Sequence, residues 1–96
     1  MADTREQLYA LHKQLTDDAL ALMRKKNLDY AAEDDPYRNF RQFGRLGILV
    51  RMSDKQARLR TFTERGKFSV EDEGVADTVK DIINYAVLFA GYDDKT

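Results

Sequence analysis

The chain has 96 residues, 43% of them apolar and 34% charged, with a net charge of −1 and a single Pro. Those figures describe one folded domain over 1–96 and exclude a disordered tail, a collagen-like chain and a general nucleic-acid coat. No apolar run reaches the ~20 residues that span a bilayer, and the polar start MADTREQ has no signal-peptide stretch. The expected location is therefore the cytoplasm.

There is no Cys, and His12 is the only His. A metal site would rest mainly on carboxylates, which suit Mg²⁺ or Mn²⁺ better than zinc. A chain this short buries only about two-thirds of its unfolded surface, so its core is expected to be completed by self-association.

The first predicted helix starts at Asp3-Thr4, where Thr4 and Gln7 have capping-box spacing. Leu8, Leu11, Leu15, Ala19 and Leu22 follow at steps of three and four, and the helix is expected to end near Lys26. Lys25 and Lys26 complement the negative helix end, and Asn27 tolerates a left-handed cap. The same Lys26, with Asn27 and Tyr30, could instead meet a phosphate and stack on a base.

Residues 27–43 read as a connection, acidic at Asp29, Glu33, Asp34 and Asp35, interrupted by Pro36, then aromatic and basic from Tyr37 to Phe43. An ordered, partly packed loop is expected, with Phe40 in the core. Asn39 bonds loop backbone or reads a base.

The second predicted helix runs from about Leu46 to Phe62 and ends at Gly66. Its buried stripe is Ile48, Leu49, Met52, Leu59 and Phe62. Arg51, Asp54, Lys55 and Arg58 form a second row. That row either binds phosphate, or pairs Asp54 with Arg58 and bridges to the third helix.

The third predicted helix opens at Ser69, with Asp72 as an acidic variant of the capping box, and ends near Gly91. Val75, Val79, Ile82, Ala86 and Phe89 form its stripe. Glu73, Asp77 and Asp81 repeat every four residues, a like-charge row that repels by a few tenths of a kcal/mol per pair. Asn84 extends it. Such a row is either a solvated acidic face or a cation site facing Asp54.

The apolar positions Ile48, Val50, Val79, Ile83, Val87 and Phe89 exceed what one small core covers and point to a homo-oligomer, a dimer or a tetramer. The fold class is all-α, a small bundle of three main helices.

Four blocks in order carry a resemblance: Lys26-Asn27-x-Asp29-Tyr30, Asn39-Phe40, Arg51-Met52-x-Asp54-Lys55-x-x-Arg58-Leu59, and Val70-x-Asp72-Glu73-x-x-x-Asp77-Thr78-x-x-Asp81-x-x-Asn84-Tyr85. Over about residues 20–90 the chain resembles the nucleotide modification associated domain 1 family, common in phages. That family is similar to the MazG-like all-α NTP pyrophosphatases. The resemblance implies an all-helical fold and a nucleotide ligand; no DNA or RNA duplex and no membrane are expected as partners, and for a phage protein the location is the host cytoplasm.

In the pyrophosphatases, acidic segments on two helices bind Mg²⁺. By resemblance Asp54, Asp77 and Asp81, with Glu73, would hold Mg²⁺ or Mn²⁺ and do the catalysis, giving a nucleoside monophosphate and pyrophosphate. Lys26, Asn27, Tyr30, Asn39, Arg51, Lys55, Arg58 and Asn84 would bind the nucleotide. Where the pyrophosphatases carry several Glu, this chain has Arg51, Ser53, Asp54 and Lys55. The alternative is a binder without catalysis that sequesters a modified or cyclic nucleotide of host immune signalling, or hands nucleotides on in DNA modification. A third is a structural oligomer without a ligand.

Overall fold

The computed structural model describes residues 2–30 and 35–93, and the side chains of 27–30 lie outside the description. Three helices, α1 (Arg5–Tyr30), α2 (Gly44–Glu64) and α3 (Glu73–Gly91), are joined by a segment holding a short 3-10 turn, Arg38–Phe40. The described residues contain no strand, as the periodicity requires.

The N-terminal capping box forms as expected. Thr4 Oγ1 accepts from Gln7 N–H (3.1 Å), and Gln7 Oε1 accepts from the N–H groups of Thr4 (3.1 Å) and Asp3 (2.9 Å). The other end differs. α1 continues to Tyr30, and among the described residues none other than Gly has a positive φ. Asn27 is therefore an ordinary helical residue and not a left-handed cap.

α2 starts two residues earlier than the pattern suggested, because the 3-10 turn leads almost directly into it. Its C-terminus is a Schellman motif. Lys67 N–H donates to the Phe62 carbonyl (2.8 Å) and Gly66 N–H to that of Thr63 (3.0 Å). Gly66 sits at φ +77°, a left-handed backbone that strains residues with a side chain, so Gly is favoured there.

The cap of α3 needs correction. Asp72 itself is the N-cap, accepting from Gly74 N–H (3.0 Å) and Val75 N–H (3.3 Å). Ser69 makes only a local turn, its Oγ accepting from Glu71 N–H at 3.2 Å. A carboxylate also answers the positive helix end, which a hydroxyl does not.

α3 is the central element. It packs against both α1 and α2, which share no close backbone contact with each other. Contact on two sides explains why every residue from Thr78 to Tyr85 is at least partly covered, Asp81 and Asn84 included. Among the described residues the buried apolar ones are few: Ala19, Ile48, Val75 and Tyr92. The α2 stripe holds at Ile48 and, partly covered, at Met52, Leu59 and Phe62, but Leu49 is exposed. Ala86 is also exposed. The radius of gyration is 14.8 Å, against about 12.5 Å for a compact domain of this length.

Candidate functional site

Asp81 lies where the three helices meet. Its Oδ2 is 3.0 Å from Lys55 Nζ on α2, and its Oδ1 is 3.5 Å from Lys26 Nζ on α1. The Asp81 and Lys55 side chains are 18% and 20% exposed, and Lys26 is half exposed. One carboxylate thus answers two ammonium groups, and the cluster is left with one positive charge. The 3.0 Å contact is a close ion pair shielded from most water.

The rest of the acidic row does not join it. Asp77 is exposed and reaches Lys80, three residues on, at 3.3 Å. Glu73 and Asp54 are exposed. Among the described residues no three His, Asp or Glu side chains come together as a metal site. A divalent cation at Asp81 would also sit beside two lysine ammonium groups. As arranged, Asp54, Glu73, Asp77 and Asp81 do not fit a Mg²⁺ or Mn²⁺ centre.

Asn84, placed by its spacing at the end of the acidic row, turns to α1. Its Nδ2 donates to the Ala19 carbonyl at 2.9 Å. The amide spends a donor on holding α3 to α1 at the point where Ala19 is fully covered. Asn39 is exposed on the 3-10 turn, and Phe40 is half-buried, edge-on to Tyr85 with centroids 6.2 Å apart. The side chains of Asn27 and Tyr30 lie outside the described residues.

On α2 the two readings of the basic row divide. The bridge to α3 exists, but through Lys55. The Asp54–Arg58 pair is not among the ion pairs of the described residues. Arg51 and Arg58 are exposed and also lack an ion-pair partner there. Arg65 shares this state, seven residues beyond Arg58 as Arg58 is beyond Arg51. Sequence reasoning missed it because the predicted helix ended at Phe62. The seven-residue repeat was the signal that could have found it.

A second cluster was also missed, at the junction of the connecting segment and the end of α3. Arg41 bonds both Asp35 oxygens (3.2 and 3.0 Å) and the Asp93 carbonyl (3.1 Å), and Arg45 donates to the Tyr92 carbonyl at 2.7 Å. Tyr37 meets Tyr92 edge-on at 5.3 Å, and both arginines lie over the Tyr92 ring. The Arg41 guanidinium, with the Tyr37 N–H, holds the Asp35 carboxyl below its usual range. All these donors are directed at protein acceptors, so the cluster fastens the segment to α3.

None of the described helices is long and apolar enough to cross a membrane. Residues 26–90 match the model of the family described as nucleotide modification associated domain 1. No curated protein and no solved structure matches the chain. The match covers about two-thirds of the sequence, and the chain belongs to that family.

Proposed function

We propose that this member of the family binds a phosphate-bearing nucleotide and does not hydrolyse it. The carrying observation is the pairing of Asp81 with Lys55 and Lys26 beside the exposed Arg51 and Arg58, which have no ion-pair partner among the described residues. A hydrolytic site of the pyrophosphatase kind gathers carboxylates around a cation that neutralises phosphate and activates water. Here the best-covered carboxylate is answered by lysines, and the surrounding charge is positive. Such a surface attracts phosphate directly through lysine and arginine. Sequestration of a modified or cyclic nucleotide, or its delivery to a partner in DNA modification, needs binding alone.

The test is a nucleotide panel with and without Mg²⁺ or Mn²⁺, read for binding and for released pyrophosphate. Binding that persists in chelator, with no pyrophosphate, is the expected result. Metal-dependent pyrophosphate release would overturn the reading and favour a pyrophosphohydrolase of MazG type.

The binder is further proposed to be a homo-oligomer. A compact monomer of 11.1 kDa exposes about 5,700 Å², whereas this chain exposes 7,538 Å². The difference, about 1,800 Å² per chain, falls within the range of obligate homodimer interfaces. Of the apolar positions expected at the interface, Ile48 is instead fully covered within the chain, while Val50 and Val87 are exposed. With Phe43, Leu46 and Leu49, also exposed, Val50 forms an apolar patch on the first half of α2.

A further inference from the structure

We propose that the phosphates of the bound nucleotide are held between Arg58 and Arg65, in a depression at the C-terminal end of α2, and not at Lys55. This deepens the nucleotide reading above and rests on it. The depression is lined by Ala57, Arg58, Thr61, Phe62 and Arg65. These residues fall at helical steps of one, three, one and three, so they share one side of α2. Seven residues put the two arginines about 10.5 Å apart along the axis, with Phe62 and Thr61 between them.

Each part has a chemical role. Neither Arg58 nor Arg65 has an ion-pair partner among the described residues, so both guanidinium forks can turn to an anion. Thr61 cannot donate in the same way, because its hydroxyl already donates to the Ala57 carbonyl at 3.2 Å. Phe62 is half-buried, its ring edge lying against the start of α3 where Gly74 carries no side chain. A Cβ there would meet the Phe62 ring at 3.0 Å. The ring is thereby fixed in place and gives the depression an apolar wall between two cations. Paired guanidinium groups flanking an aromatic face suit a flat base that carries phosphate, and suit neither an apolar peptide nor a bare cation. Lys55, by contrast, is largely covered and committed to Asp81.

The experiment is calorimetry at fixed ionic strength, with a nucleoside triphosphate panel and inorganic triphosphate as probes, on the full chain and on Arg65→Ala, Arg65→Lys and the exposed control Arg24→Ala. The expected result is nucleotide affinity at least tenfold weaker in Arg65→Ala, partly restored in Arg65→Lys, and unchanged in Arg24→Ala, with all melting curves alike. Wild-type binding that Arg65→Ala leaves intact while Lys26→Ala abolishes it would overturn this site and leave the nucleotide reading standing. Failure of the wild-type chain to bind any probe would overturn both.

Discussion

Replacing Asp81 separates a structural carboxylate from a metal ligand. From spacing alone, Asp81→Ala should relieve repulsion from Asp77 with little loss of fold. The structure requires the opposite. The Lys55–Asp81 contact is 3.0 Å long, with about four-fifths of each side chain covered. Such a pair lies between an exposed ion pair, worth up to about 1 kcal/mol, and a fully buried one, whose breaking costs about 3–5 kcal/mol. The Lys26 contact, at 3.5 Å with its lysine half exposed, adds at most about 0.5 kcal/mol. Removing the carboxylate also leaves two ammonium groups facing each other. Asp81→Ala should therefore lose about 2 kcal/mol, a fall in Tm of roughly 8–16 °C for a domain of this size. Urea unfolding followed by circular dichroism measures it, and a double-mutant cycle with Lys55→Met isolates the pair. The double variant should recover much of the loss, because no charge is then left uncompensated. A neutral or stabilising Asp81→Ala, or strictly additive variants, would refute the pairing.

Light scattering at micromolar concentration should give a mass of at least two chains, and Leu46→Glu on the exposed α2 patch should lower it; a wild-type monomer would contradict the surface excess. Asp72→Ala should destabilise by about 1 kcal/mol, the usual value of an N-cap, and Ser69→Ala by clearly less in the same denaturation assay; the reverse order would restore Ser69 as the cap. Asp35 has its pKa lowered in the fold by Arg41 and the Tyr37 N–H, so its contribution is present above the unfolded value of about 3.8 and lost as pH falls below it. Hydrogen exchange of the Phe40 and Arg41 amides should accordingly stay slow at pH 6, relative to the intrinsic rate, and lose protection below about pH 4. In Asp35→Asn that pH dependence should disappear.

The helices were legible because their signals are local. The Thr4–Gln7 capping box, the stripe through Ile48, Met52, Leu59 and Phe62, and Gly66 at the end of α2 each act within a few residues, so the pattern and its cause lie in one stretch of chain. Boundaries were less legible at Asn27 and Ser69. Each carries a residue type that suits a cap, and the choice depends on which backbone groups are already satisfied.

The site was read less well, because charge spacing shows which side chains share a face and not what stands opposite. Glu73, Asp77 and Asp81 form one row in sequence, yet only Asp81 comes to lie against Lys55 of α2 and Lys26 of α1. Asn84 was set at the end of that row and serves α1 through the Ala19 carbonyl. These pairings join residues 26 to 65 positions apart, and they follow from α3 being placed between two helices that share no close backbone contact. The identities of the charged residues were set by the sequence alone. Which charges neutralise each other, and which arginines stay open to a ligand, was decided by helix packing, because electrostatic pairing depends on distance in space and on the water each pair excludes.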